Sequence, residues 1–132
     1  MQTFDVTTRN RTQLVDITDR VQEAVSREGV VAGVCVVFCP HTTAAITIQE
    51  NADPDVASDV VSTLDALVPR DGDYRHSEGN SDAHVKSALV GASEMLVIER
   101  GRLVLGTWQA IYFCEFDGPR TRQVIVSVQP SQ

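Results

Sequence analysis

Three histidines stand in polar, turn-rich or helix-opening phrases: His41 in Cys39-Pro40-His41-Thr42-Thr43, His76 in Tyr74-Arg75-His76-Ser77-Glu78, and His84 in Ser81-Asp82-Ala83-His84. Three neutral imidazoles that converge can hold a zinc-like ion and leave a fourth position for water or substrate, the layout of a catalytic rather than a structural site. His76 and His84 flank one loop-to-helix junction, whereas His41 comes from the entrance to a distant strand. No H-x-H or H-E-x-x-H spacing joins them, so exposed or backbone-satisfied histidines stand beside metal ligation as a second reading.

The phrase Gly79-Asn80-Ser81-Asp82 leads into a helix N-terminus, where free N–H groups and the positive dipole end favour a phosphate or carboxylate. Lys86, one turn inward, adds a full positive charge. A single glycine is weaker than a phosphate-binding loop, and a capped helix with a surface lysine explains the same residues. Two carboxylates are candidates for a general base, Glu50 and Asp82. Strict strand alternation sets Glu50 on the opposite face from His41, and only a bulge or kink at the strand end brings it round.

These side chains need a frame. Residues 2–8 alternate as an edge strand, and Ile17, Val21, Ala24 and Val25 recur at helical spacing until Gly29. Residues 30–39 are apolar on both faces, which predicts a strand buried on both sides or in a subunit interface. Residues 44–50 alternate as a half-buried strand. Asp53-Pro54-Asp55 opens a helix whose inward stripe is Val56, Val60, Leu64 and Leu67. Residues 69–82 are a long polar loop, the kind that is usually functional or disordered. A short helix follows, with Val85, Ala88 and Leu89 inward and Gly91 at its end. The rest is β: 95–99 and 103–105 flank the tight turn Arg100-Gly101, then 107–116 and 124–128 are joined through Asp117-Gly118-Pro119-Arg120. Trp108 on this pattern is a core or interface residue. The element order predicts an α+β fold, a largely antiparallel β-sandwich with flanking helices, in one domain over 1–132.

Composition bounds the function. A chain of 132 residues with 42% hydrophobic content builds one core. The net charge of −7 disfavours nucleic acid and anionic membrane as partners. Most of the acidic excess lies in residues 1–66, which leaves the second half to receive a small anionic ligand. No apolar run is long enough to cross a bilayer and no signal-like leader opens the chain, so a soluble, cytoplasmic protein is expected. Cys35, Cys39 and Cys114, odd in number and set among apolar neighbours, read as reduced core thiols.

Several separated phrases fall in one register: His41-Thr42-Thr43-Ala44, Glu50-Asn51-Ala52-Asp53-Pro54-Asp55-Val56, Arg75-His76, Glu78-Gly79-Asn80-Ser81, Ala83-His84-Val85-Lys86 and Gly101-Arg102-Leu103-Val104-Leu105-Gly106-Thr107-Trp108-Gln109. In that order they resemble the YjbQ-like family, described as secondary thiamine-phosphate synthase enzymes. The resemblance implies a homotrimer with His41, His76 and His84 as ligands of a divalent metal, zinc before others. It implies coupling of hydroxymethylpyrimidine diphosphate to thiazole phosphate with release of pyrophosphate, as a side activity of the family. Thr42, Thr43 and Gln109 would orient the ring, while Asn80, Ser81 and Lys86 would receive phosphate. Diphosphate usually calls for Mg²⁺ held by carboxylates, whereas imidazoles suit zinc, a mismatch that points to a different main reaction. Metal-dependent hydrolysis of a small phosphorylated or acyl compound, with Glu50 or Asp82 as base, and a non-catalytic metal- or anion-sensing trimer are the alternatives.

Overall fold

A computed structural model describes residues 1–131. Its elements run β1 (Gln2–Thr7), β2 (Gln13–Asp16), α1 (Thr18–Glu28), β3 (Gly33–Phe38), β4 (Ala44–Glu50), α2 (Pro54–Leu67), α3 (Ser81–Val90), β5 (Ser93–Glu99), β6 (Arg102–Leu103), β7 (Gln109–Glu115) and β8 (Thr121–Pro130). The strands form two sheets, one in the order β1-β8-β3-β5-β6 and one in the order β2-β7-β4. Every strand pair in both is antiparallel. The expected α+β architecture of antiparallel sheets with flanking helices is therefore the observed one.

The sheets face each other across an apolar layer. Cys35, Val37, Leu96, Ile98, Val124 and Val126 from the larger sheet meet Ala44, Ile46, Ile111 and Phe113 from the smaller, and Val21, Ala24 and Val25 of α1 seal one side. Each large side chain removed this fully from water contributes roughly 1.5–3 kcal/mol. A second cluster of Ala45, Ala83, Cys114 and Phe116 lies on the other face of the smaller sheet, with Leu64 and Val90 packed against it. The central strand β7 is thus buried from Ala110 to Glu115 with no polar face, because α3 covers what alternation alone would expose.

The structure departs from the sequence reading in four places. The strand β2 carries too few residues to show a period and is absent from the sequence reading. The α2 stripe is not buried: no residue of that helix is, and Leu67 is 70% exposed. In α3 the buried residues are Asp82, Ala83, Lys86 and Ser87, so the helix is rotated away from the expected Val85–Ala88–Leu89 face. Trp108 is exposed, in the turn before β7, which overturns the core half of its reading and leaves the interface half. The expected turn at Arg100 and Gly101 is present, both residues having positive φ (54° and 75°), the pairing a two-residue hairpin loop requires.

Candidate functional site

The polar end of the sandwich is built by three segments. The β3–β4 connection brings Pro40, His41, Thr42 and Thr43; the start of α3 and the loop before it bring Glu78, Asn80 and His84; the β7–β8 turn and β8 bring Asp117, Arg120 and Arg122. These residues enclose an open cavity of about 380 Å³. His84 also forms part of the wall of a neighbouring recess of about 330 Å³ lined by Tyr74, Arg75, His76, Ser81 and Val85.

The floor is an ion pair set where the core ends. Glu115 lies on the face of β7 that carries Ile111 and Phe113, and Arg122 on the face of β8 that carries Val124 and Val126; both are almost wholly buried. Arg122 Nε donates to Glu115 Oε1 at 2.9 Å and Oε2 at 3.2 Å, and its Nη2 donates to Glu115 Oε2 as well. The same Nη2 donates to Thr43 Oγ1 at 2.8 Å and to the Thr43 carbonyl at 3.3 Å. Glu115 also accepts from Thr8 Oγ1 at 2.8 Å and from the Asp117 N–H at 3.1 Å. Burial raises the Glu115 carboxyl, but these donors and the guanidinium charge more than reverse it and hold the group below the ordinary carboxylate value.

The turn above this floor is pinned. Gly118 N donates to the Arg11 carbonyl at 3.0 Å, and a Cβ on Gly118 would meet the Asn10 carbonyl oxygen at 2.3 Å, so only glycine fits. Arg120 folds back on the turn, with Nε donating to the Asp117 carbonyl at 2.9 Å and Nη2 to Asp117 Oδ2 at 3.2 Å. Asn80 Nδ2 donates to the same carboxylate at 2.9 Å, which joins the start of α3 to the turn.

The three histidines divide. His41 Nε2 accepts from the Gln123 N–H at 2.9 Å, which needs a lone pair on Nε2 and places the ring proton on Nδ1. Burial, then the Arg122 charge, lower its pKa, so the ring is neutral at pH 7. His76 and His84 stand edge to face with ring centroids 5.4 Å apart, and His76 Nε2 is 3.7 Å from Glu78 Oε2. Among the described residues no three His, Cys, Asp or Glu side chains are grouped to hold a metal ion. The expected three-imidazole ligand set therefore does not fit as arranged: the His41 lone pair is engaged, and two imidazoles fall short of the three donors of an open zinc site.

The other expected site residues fall into distinct places. Thr42, Thr43 and Asn80 line the larger cavity and Ser81 the smaller. Asp82 is 0% exposed and is bound in a fork by Arg11 at 3.0 and 3.1 Å. Burial raises its pKa, but Arg11 and Lys86 outweigh that and lower it, so it is an ion-pair anchor and a poor base. Lys86 is 1% exposed, paired with Asp65 and 3.7 Å from Asp82, and its ammonium lies 5.9 Å over the Phe116 ring. It faces the protein rather than the cavity. Glu50 and Gln109 pair with each other at the far end of the smaller sheet, whereas Ala44, three residues after His41, pairs with Glu115. Six strand steps separate the two ends, roughly 20 Å, so no bulge brings Glu50 or Gln109 to His41.

Sequence reasoning missed Arg122, Glu115, Arg120 and Asp117. A signal was present: two arginines with an Asp-Gly-Pro turn between buried strands. Alternation reads Glu115 as core-facing, and a core-facing carboxylate demands a cationic partner on a facing strand.

The model of the family described as UPF0047 protein YjbQ-like matches residues 2–131. The chain is 48% identical over 129 residues to the UPF0047 protein YugU of Bacillus subtilis, covering 97% of this chain and 98% of that protein. It is 49% identical over 125 residues to a UPF0047 protein of Methanocaldococcus jannaschii, covering 95% and 91%. Its fold superposes with TM-score 0.96 on the crystal structure of a YjbQ/UPF0047 protein from Clostridium acetobutylicum, 54% identical, covering 98% of this chain and all of that one. A YbjQ-like protein of Sulfolobus solfataricus superposes with TM-score 0.94 at 32% identity, covering 98% and 96%.

Proposed function

Given that the chain belongs to the UPF0047 YjbQ-like family, we propose that it is an enzyme acting on a small phosphorylated compound held in the cavity between His41 and His84. The observation that carries this reading is the composition of that cavity: two guanidinium groups, two imidazoles, two threonines and an asparagine, beside the Asp117 carboxylate held by Arg120 and Asn80 and the Glu78 carboxylate, around about 380 Å³, a size suited to one small ligand. Arginine is the side chain that matches phosphate oxygens best, and a neutral His41 with its proton on Nδ1 is a donor for a leaving-group oxygen. The adjoining recess with Tyr74 and Val85 in its wall suits the less polar part of such a compound.

Coupling of hydroxymethylpyrimidine diphosphate to thiazole phosphate, as the family resemblance implies, is the reaction to test first. Loss of pyrophosphate leaves positive charge on the pyrimidine methylene, so catalysis rests on neutralising the departing anion and placing the thiazole nitrogen in line. The hydrolytic alternative keeps the cavity and loses both of its bases, since Asp82 is locked in an ion pair and Glu50 is remote. No step of this proposal depends on a divalent metal, zinc or other, because the His41 lone pair is engaged and His76 and His84 alone fall short of an open zinc site. Pyrophosphate release measured with both precursors, each alone, and neither is the test. Release that needs both precursors and is lost in Arg120→Ala is expected. Release from the diphosphate alone would instead make the protein a hydrolase, and no release combined with no phosphate binding would end the reading.

We also propose that the protein associates with copies of itself, a trimer being the state the resemblance implies, through the outer face of the larger sheet. Phe38, Met95 and Val97 on that face are 41%, 66% and 55% exposed, and Val34 and Val36 lie between them. Sedimentation of the full chain tests it: a monomer at micromolar concentration would overturn it.

A further inference from the structure

We infer that Arg122 is the anion receptor of the cavity and that Glu115 is its positioning residue; this rests on the phosphorylated-ligand reading above. Arg122 is 3% exposed, yet it lines the cavity. A guanidinium has five N–H donors in a rigid plane. Its Nε and Nη2 are spent on Glu115 and Thr43, while Nη1 makes no hydrogen bond to any described residue. Nη1 is not among the buried polar atoms that lack a partner, so it is open to the cavity, not sealed in the core. One edge of the fork is held and the other is offered.

Glu115 is what makes that division. It is 0% exposed and carries three further constraints, the Thr8 hydroxyl, the Asp117 N–H and the β7 backbone itself, so it cannot follow Arg122 if the arginine turns. The Arg122 plane is thereby set before any ligand arrives, which removes the cost of ordering a long side chain on binding. Arg120 supplies a second guanidinium at the rim, bound through Nε and Nη2 to Asp117 alone and likewise without a hydrogen bond from Nη1 to any described residue. Two preset guanidiniums with free Nη1 groups suit an oxyanion with several acceptor oxygens, and a phosphate more than a carboxylate. A lysine at 122 would keep the charge and lose the fork.

The test uses the full chain and inorganic phosphate, with acetate as the carboxylate arm. Phosphate affinity is measured by calorimetry for the wild type, Arg122→Lys and Glu115→Gln, beside thermal melts of each. Phosphate binding tighter than acetate, weakened about tenfold to a hundredfold in Arg122→Lys, is expected, the range for one lost charge-assisted hydrogen bond. Where a variant does not fold, ¹⁵N spectra of the wild type decide: phosphate should shift the Arg122 side-chain Nη signals and the amides of Thr43 and Gln123. In folded Glu115→Gln the Arg122 Nη shift should shrink, a signature that mere loss of stability does not produce. Phosphate binding that shifts only residues 81–84, or that Arg122→Lys leaves unchanged, overturns the inference and leaves the cavity reading standing. No binding of phosphate or pyrophosphate by the wild type overturns both.

Discussion

At the scale of single residues, the chemistry of the cavity turns on which lone pairs are already engaged. His41 is committed by one backbone N–H from Gln123, so its free nitrogen is a donor. Nitrogen-detected NMR of the imidazole should find the proton on Nδ1 at neutral pH, and a proton on Nε2 would contradict the geometry. Because two guanidiniums at the cavity supply the positive charge themselves, exhaustive chelation should leave phosphate binding by the full chain within about twofold of the untreated value. A large loss, restored by zinc, would make a metal the receptor instead. The residues legible in the sequence were those whose type announces chemistry: His41, Thr42, Thr43, Asn80 and His84 do meet in one cavity. Arg122 and Glu115 were illegible for a physical reason. Each is polar at a core position of a strand, and nothing in one strand's alternation says that a partner strand carries the opposite charge at the facing place.

At the scale of elements, the cavity is held together by charge across segment boundaries. Arg11 from the β1–β2 connection grips Asp82 of α3, Lys86 of α3 reaches Asp65 of α2, and Asn80 ties the start of α3 to the β7–β8 turn. Asp82→Ala leaves the half-buried Arg11 without its carboxylate and Lys86 with Asp65 alone, and should cost about 1–3 kcal/mol by chemical denaturation. A loss under 1 kcal/mol would show the pair to be solvent-screened. Gly118→Ala presses a methyl onto a backbone carbonyl that cannot yield, and about 1–3 kcal/mol is expected, with weakened phosphate binding because Asp117 and Arg120 move with the turn. The sequence made α2 look like a core helix since its apolar residues keep the right period. Period reports which face is apolar, not whether anything covers it; here only Leu64 packs against a buried cluster.

For the whole molecule, the strands follow from alternation and turn chemistry, which is why residues 44–50 and the Arg100-Gly101 turn were readable in advance, whereas their order does not, since among the described residues only β5 and β6 pair as consecutive strands. The two-sided apolar pattern at residues 30–39 splits into Cys35 and Val37, buried against the smaller sheet, and Val34, Val36 and Phe38 on the outer face. Acid should unfold the protein steeply. Glu115 and Asp82 both have pKa values below their ordinary ones when folded, so the stability they confer is complete above the ordinary carboxylate range and is lost as pH falls through their folded values. Denaturant titrations from pH 7 to pH 2 should show a fall that flattens in Glu115→Gln; an equal fall in that variant would assign the effect to other carboxylates.

The floor of the cavity is also the end of the core, for Arg122 and Glu115 continue the same inward rows as Val124 and Phe113. The cavity floor is thus built from the same rows that keep the chain folded. Selection on this protein would then find it hard to change what the cavity recognises without also disturbing whether the chain folds. New specificities would arise more readily in the loop around residues 69–80 and at the recess beside His76, while the floor changes last. Laboratory evolution toward another ligand would do best to begin from a background stabilised elsewhere and to leave the arginine and its carboxylate untouched.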